Sequence, residues 1–186
     1  MKLLKILVVV DMQNDFIDGS LGTPEAKDIV GNVCNKIEGF NGLIYATKDI
    51  HDEGYLDTLE GKHLPVEHCI RGTEGIEICG CVFEHLCKVN NDNVQVVRKH
   101  TFASTSLVKS IKKDEKYAKK LGMDIEIELI GLCTDICVIS NALLLKAYFP
   151  ETKITVDASC CAGSTPEKHK MALEVMKSCH IDVINE

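Results

Sequence analysis

Three side chains that together could form a nucleophilic centre each lie just past the carboxyl end of a strand-like segment. They are Asp11, Lys99 and Cys137, and the segments before them span residues 5–10, 94–97 and 124–130. Neighbouring strands of a parallel sheet end at one edge, so these side chains can meet despite their separation in sequence. A thiol, a carboxylate and an ammonium group suit attack on a carbonyl carbon, with the carboxylate moving the proton.

The sequence around Cys137 favours a thiolate. Thr134 or Asp135 can cap a helix in which residues 138–147 form an apolar face, which places Cys137 in the first turn. A mostly ionised cysteine at pH 7 needs about 2.7 kcal/mol of stabilisation, of which a helix terminus supplies about 1 kcal/mol. Lys99 could provide the remaining favourable charge.

A second set of residues could bind a metal ion. Asp49 and His51 follow another apolar segment, and His68 lies in the glycine- and proline-rich stretch of residues 52–75. One carboxylate and two imidazoles leave open coordination positions and suit zinc, iron or manganese. His63 is a spare histidine that could replace His68.

Each of these residues also has an ordinary structural explanation. Cys137 could be a small buried hydrophobe, Asp11 a turn residue and Lys99 a solvated loop lysine. The histidines and Asp49 could belong to a polar surface loop.

Composition narrows the possible functions. The chain has 186 residues, 45% of them hydrophobic, and a net charge of −7 without a Lys/Arg block, which argues against nucleic-acid binding. Its apolar start runs straight into Asp11 without a cleavage site and is too short to span a membrane. We expect a first buried strand there, in a cytoplasmic protein. The ten cysteines include no CxxC pair, so reduced thiols are expected.

Strand-like and helical segments alternate along the chain. Strands are predicted at residues 5–10, 43–47, 94–97, 124–130, 153–156 and 181–184. Helices are predicted at residues 25–37, 105–121, 138–147 and 166–179, a loop at 52–75, and a short helix or an edge strand at 76–88. The alternation predicts an α/β fold: a three-layer α/β/α sandwich with a six-stranded, mainly parallel sheet, in a single domain of residues 1–186.

Three segments resemble the isochorismatase-like cysteine hydrolases, and among them the nicotinamidases. VVDMQNDF at residues 9–16 resembles the opening D-x-Q-N-D-F of that family, VRK at 97–99 its lysine strand, and GLCTDICV at 131–138 its G-x-A-T-D-x-C-V. The resemblance implies that Asp11, Lys99 and Cys137 are catalytic.

The resemblance implies further details of the site. A cis peptide is expected between Leu132 and Cys133, and the backbone N–H groups of Cys133 and Cys137 would form an oxyanion hole. Phe16, which ends the first motif, would contact the substrate.

The resemblance extends to a metal site. PVEHCIRGT at residues 65–73 is similar to the nicotinamidase pattern P-x-H-C-V-x-x-T. It implies a divalent metal at Asp49, His51 and His68, zinc first, with iron or manganese as alternatives. Ile50 stands where those enzymes usually have Trp, and this chain contains no Trp.

The implied activity is hydrolysis of the C–N bond of a small carboxamide, nicotinamide first, by a homo-oligomer that binds neither nucleic acid nor membrane. An N-carbamoyl or ureide hydrolase is an alternative within the family. A non-catalytic binding or thiol redox protein, with Cys133 and Cys137 forming a regulatory disulfide, is an alternative of another class.

Overall fold

The computed structural model describes residues 2–186, which form a six-stranded sheet in which every strand pairing is parallel. The strands are β1 (Lys2–Val10), β2 (Leu43–Asp49), β3 (Val94–Lys99), β4 (Met123–Leu132), β5 (Lys153–Ala162) and β6 (Asp182–Ile184). Their order in the sheet is β3-β2-β1-β4-β5-β6.

Helices cover both faces of this sheet. They are α1 (Asn14–Ile17), α2 (Pro24–Asp28), α3 (Val30–Gly39), α4 (Leu59–His63), α5 (Gly80–Lys88), α6 (Thr105–Lys120), α7 (Ile139–Tyr148) and α8 (Pro166–Ser178). α6, α7 and α8 pack on one face, and α1, α2, α3 and α5 pack on the other. The predicted three-layer α/β/α fold is therefore confirmed.

The central strand β1 shows why its sequence is apolar without interruption. Ile6, Val8 and Val10 point into the core under α6 to α8, while Leu7 and Val9 point into the core under α3 and α5. Successive side chains of a strand alternate between faces, so a strand covered on both sides needs apolar residues at every position.

The strand order reverses between β1 and β4. From β1 the chain adds β2 and β3 on one side, and from β4 it adds β5 and β6 on the other. Connections leave in opposite directions at such a point and open a crevice at the carboxyl ends of the two strands. Asp11 directly follows β1 at this crevice, and Cys137 lies in the turn after β4.

Two predictions need correction, and one open alternative is resolved. The helix predicted at residues 25–37 is two helices, α2 and α3, which meet at Ile29, two residues before the poor helix former Gly31. The segment 52–75 contains the short helix α4, whose first turn is capped by the Thr58 hydroxyl accepting from the Gly61 N–H. Of the two alternatives for residues 76–88, the helix is right, because Val82 and Leu86 form one buried helical face.

β5 is longer than predicted and continues to Ala162. The prediction ended before Asp157, a residue that is unfavourable inside a buried strand. The carboxylate of Asp157 lies 2.6 Å from the Lys36 Nζ, and this ion pair lets the strand continue.

Within residues 2–186, no helix is both long and apolar enough to cross a membrane. A single domain of residues 1–186 stays a prediction, and Met1 lies outside the described residues.

Gly131 should be intolerant of any side chain. Its φ is +113°, and a Cβ there would lie 2.1 Å from the Val10 carbonyl oxygen, whereas a Cβ on Gly31 would meet nothing within 4 Å. We expect Gly131→Ala to lower the free energy of unfolding by at least about 2 kcal/mol. Gly31→Ala, at an exposed position of α3, should leave that free energy unchanged or raise it by about 0.5 kcal/mol. Urea unfolding measures both, and equal effects would contradict the close packing of β1 on β4.

Candidate active site

Asp11, Lys99 and Cys137 meet at the carboxyl edge of the sheet. The Lys99 Nζ lies 2.7 Å from the Asp11 Oδ2 and 3.5 Å from the Cys137 Sγ. All three residues are buried, with Asp11 0%, Lys99 4% and Cys137 5% exposed. The structure thus brings together the three residues that the strand ends predicted.

Thr47 fixes the orientation of the Asp11 carboxylate. Its hydroxyl donates to the Asp11 Oδ1 at 2.6 Å and accepts from the Asp11 N–H at 3.2 Å. The backbone of Asp11 has a φ of +46°, in the left-handed region that few non-glycine residues adopt. With Oδ1 held by Thr47, Oδ2 is the oxygen that faces Lys99.

Burial and charge oppose each other in this cluster. Burial raises the pKa of Asp11, and the Lys99 charge lowers it only in part. For Cys137, burial and the Asp11 carboxylate raise the pKa of the thiol well above its ordinary value, against the opposing effect of Lys99. Burial and the neighbouring carboxylate therefore oppose the thiolate that the sequence favours, and the Lys99 charge offsets them only in part.

The turn that carries Cys137 is not a capped α-helix. Residues Thr134–Val138 form a π-helical turn before α7, and no side chain caps it. Asp135 instead accepts hydrogen bonds at 2.7 Å from the backbone and hydroxyl of Ser164, and the Thr134 hydroxyl lies 2.8 Å from the His169 Nδ1. The predicted cap at Thr134 or Asp135 is therefore wrong, because both side chains form hydrogen bonds with residues far along the chain instead.

The peptide bond between Leu132 and Cys133 is cis, as expected. The carbonyl of Cys133 accepts from the N–H groups of Ile136 and Val138, both at 3.0 Å. These bonds fold the turn back, so that Cys133 and Cys137 border the same pocket.

Four potential metal ligands converge beside this centre. Ligand atoms of Asp49, His51, Glu60 and His68 all lie within 4.8 Å of one another. The His51 Nε2 is 3.1 Å from the Asp49 Oδ2, and the His68 Nε2 is 4.0 Å from the Glu60 Oε1. The His68 Nδ1 donates to the Val66 carbonyl at 2.8 Å, which leaves its Nε2 available as a ligand. Two imidazoles and two carboxylates fit a divalent cation such as zinc.

Backbone hydrogen bonds return the loop of residues 52–75 to the sheet edge. The His51 N–H donates to the Cys69 carbonyl at 3.0 Å, and the Arg71 N–H donates to the His51 carbonyl at 2.8 Å. The Cys69 N–H also donates to the Asp15 carboxylate at 2.7 Å. Through these contacts, His68 reaches His51 although 17 positions separate them, from 51 to 68.

Two residues of the site were missed from the sequence. Glu60 belongs to the group of potential metal ligands, and an acidic residue in the same segment as His68 was the available signal. Gln13 is fully buried and binds Asp49 from both sides: its Nε2 donates to the Asp49 carbonyl at 2.8 Å, and its Oε1 accepts from the Asp49 N–H at 2.7 Å. His63, the predicted spare ligand, is exposed and outside the cluster.

A pocket of about 200 Å³ connects the two groups. Apolar side chains form most of its wall, among them Phe16, Leu64, Phe102 and Ile136. Cys137, Asp49 and His68 also line it. The Phe16 ring lies 5.5 Å from the His68 ring, centroid to centroid. This space suits a small, largely apolar molecule with a reactive group near Cys137.

A larger groove of about 780 Å³ lies elsewhere, beside Lys36 and Asp157. Lys36 is paired there with two carboxylates, since its Nζ lies 2.7 Å from Glu128 and 2.6 Å from Asp157. Cys137, one of the three residues predicted from the strand ends, lines the smaller pocket, which we take as the candidate active site.

Residues 5–186 match the isochorismatase domain family, and the chain therefore belongs to it. It is similar to nicotinamidase PncA from Bacillus subtilis, with 28% identity, full coverage of both chains and a TM-score of 0.79. A pyrazinamidase of Pyrococcus horikoshii in complex with zinc is 26% identical over 98% of this chain and 99% of that one, with a TM-score of 0.77.

N-carbamoylsarcosine amidase from Thermoplasma acidophilum is also similar, at 28% identity over 98% of this chain and 95% of that one, with a TM-score of 0.72. The predicted family is confirmed.

The convergence of Asp49, His51, Glu60 and His68 predicts a specific pattern of metal loss. We expect His51→Ala and His68→Ala each to bind one divalent ion fewer per chain than the unaltered protein, because each removes a ligand. His63→Ala, at an exposed histidine of α4, is the matched control and should bind as many. Elemental analysis of tag-free protein after dialysis against zinc, manganese or iron measures this. Equal metal content in all three variants would contradict the assignment.

Proposed function

We propose that this chain is a cysteine amidohydrolase that cleaves the carboxamide C–N bond of nicotinamide and releases nicotinate and ammonia. The observation that carries the proposal is the buried contact of Lys99 with both Asp11 and Cys137, of which Cys137 lines the pocket of about 200 Å³. Similarity to the Bacillus nicotinamidase over the whole chain supports the same activity.

In the first step, the Cys137 Sγ would attack the carboxamide carbon. Its proton would pass to the Asp11 carboxylate, whose high pKa makes it an effective base within the buried site. The Lys99 ammonium would stabilise the sulfur as its negative charge develops. The backbone N–H groups of Cys133 and Cys137 would donate to the oxygen of the tetrahedral intermediate.

In the second step, Asp11 would return the proton to the departing nitrogen, and ammonia would leave a thioester on Cys137. A water molecule would then attack the thioester carbon after transferring a proton to Asp11. That proton would finally return to the Cys137 sulfur, which restores the thiol and the carboxylate.

Asp49, His51, Glu60 and His68 would hold the divalent metal, with zinc as the first candidate and iron or manganese as alternatives. When bound, it would supply a Lewis-acid centre that attracts the ring nitrogen of the substrate or a water. Phe16 would contact the substrate ring from the wall that it shares with His68.

Hydrolysis of an N-carbamoyl compound or ureide is the second candidate. It is supported by the N-carbamoylsarcosine amidase, which is as similar in sequence as the nicotinamidase. Ile50, where nicotinamidases usually have Trp, also weakens the case for ring stacking. We further propose that the protein is cytoplasmic, in keeping with its ten free thiols. We also propose that it forms a homo-oligomer and that its partner is the small-molecule substrate.

Ammonia release from a panel of carboxamides and ureides tests the function. We expect nicotinamide to be turned over, with Cys137→Ala reducing kcat by at least about 10⁴-fold, in the range seen when a nucleophile is removed. Cys133→Ala is the matched control, because the resembling family usually has Ala at that position, and should retain turnover. Ureide hydrolysis without carboxamide hydrolysis would favour the second candidate, and normal turnover by Cys137→Ala would overturn the mechanism.

Lys99→Met tests the role of the cation. Its removal takes away the charge that lowers the pKa of the Cys137 thiol, and a rise of one in that pKa reduces the thiolate fraction about tenfold. We expect iodoacetamide to modify Cys137 at least about tenfold more slowly at pH 7, as followed by peptide mass spectrometry. The exposed Cys179 provides the internal control, and an unchanged rate at Cys137 in folded protein would rule Lys99 out.

A further inference from the structure

A second group of potential metal ligands lies between α3 and α5, and it shares no residue with the candidate active site. Cys34 and Glu38 are four positions apart on α3, and Cys81 and His85 are four positions apart on α5. Residues spaced by four lie on one face of a helix, so each helix presents a pair of such groups to the other.

The distances within this group are short. The Cys34 Sγ lies 2.8 Å from the Cys81 Sγ, which lies 4.0 Å from the His85 Nδ1. Ligand atoms of Cys34, Cys81 and His85 are all within 4.8 Å of one another. On the far side of the imidazole ring, the His85 Nε2 is 3.9 Å from the Glu38 Oε2. Cys34 is buried, whereas Cys81 is exposed and gives a cation access from solvent.

We propose that Cys34, Cys81 and His85 form a second metal site, selective for a thiolate-binding divalent cation such as zinc. Two sulfurs and an imidazole are a zinc donor set, and a water molecule can complete the tetrahedron. The role of the ion is to tie α3 to α5. α5 leads into β3, and β3 ends at Lys99.

Binding changes the protons of the group in a defined way. Each thiol releases one proton to solvent as its sulfur bonds to the metal. The His85 Nδ1 donates to the Cys81 carbonyl at 2.8 Å, and this hydrogen bond breaks on metal binding. The proton moves from Nδ1 to Nε2, and a rotation of the ring turns the Nδ1 lone pair from the carbonyl to the metal. The carboxylate of Glu38 then faces the Nε2–H, the arrangement that orients many metal-binding histidines.

The sulfur atoms must separate slightly. Two thiolates at about 2.3 Å from a tetrahedral zinc lie about 3.8 Å apart, so the pair would open by about 1 Å. Cys81 lies in the exposed first turn of α5 and can make this movement by a side-chain rotation.

A disulfide between Cys34 and Cys81 is the competing use of the same thiols. It would form with loss of two protons and two electrons to an oxidant such as oxidised glutathione. The disulfide gives no role to His85 or Glu38, whereas the metal site uses all four groups. The four-residue spacing on both helices therefore favours the metal.

Anaerobic titration of the reduced, full-length protein with Co²⁺ tests this proposal without reference to activity. We expect a near-ultraviolet charge-transfer band from thiolate to cobalt that saturates at one such ion per chain and disappears when zinc is added. The cluster of Asp49, His51, Glu60 and His68 has no sulfur and cannot give that band. Cys81→Ser should abolish it, and His85→Ala should weaken cobalt binding at least about tenfold.

Cys87→Ser is the matched control, since Cys87 is an exposed cysteine of α5 outside the group, and its band should be unchanged. Because Cys81 is exposed, its replacement tests the site even if a Cys34 variant fails to fold. Three results would each overturn the proposal: no thiolate band, a band of full intensity in Cys81→Ser, or a Cys34–Cys81 disulfide formed by oxidised glutathione in zinc-saturated protein. The proposal stands apart from amide hydrolysis, which Cys81→Ser should retain.

Discussion

The ion pair between Lys99 and Asp11 is the contact on which the arrangement of the site depends, because both charges are almost completely removed from water. Removing one partner of such a pair leaves an uncompensated buried charge and costs about 3–5 kcal/mol. The strand order explains how the pair forms. β3, β2, β1 and β4 are consecutive in the sheet, so Lys99, Thr47, Asp11 and Cys137 form a row across four strand ends. A fold that placed these strands in another order would separate the Cys137 thiol from the Asp11 carboxylate.

Asp49 links this row to the group of potential metal ligands. One of its oxygens is 3.4 Å from the Lys99 Nζ, and the other is 3.1 Å from the His51 Nε2. Burial raises the pKa of Asp49, but the His51 hydrogen bond and the Lys99 charge outweigh that effect and lower it. Gln13 holds the Asp49 backbone in place through two hydrogen bonds. The Lys99 ammonium beside the Cys137 thiol and the group of potential metal ligands therefore share one carboxylate, and the pocket of about 200 Å³ lies beside both.

The sequence alone was sufficient to predict those features that depend on residues close together in the chain. The apolar run of residues 5–10, the short segment 94–97 and the alternating, then apolar segment 124–130 predicted β1, β3 and β4, and with them the meeting of Asp11, Lys99 and Cys137. The features that could not be predicted depend on contacts between distant parts of the chain. Asp135 is engaged by Ser164, so it does not cap a helix, and Asp157 is neutralised by Lys36, so β5 continues past it. Glu60 reaches its cluster only because α4 forms in a segment whose composition predicts a loop. The glycine and proline residues of that segment favour the prediction of a loop, although one turn of helix forms there.

The central claim is that the Cys137 Sγ is the reacting atom of a centre that also contains Asp11 and Lys99. Its most direct test is ammonia release measured against the fraction of Cys137 carboxamidomethylated by iodoacetamide, with all ten cysteines mapped by peptide mass spectrometry. The account predicts that turnover of the best carboxamide falls in direct proportion to the modified fraction of Cys137 and reaches zero when that residue is fully modified. Turnover that persists with Cys137 fully modified would contradict it.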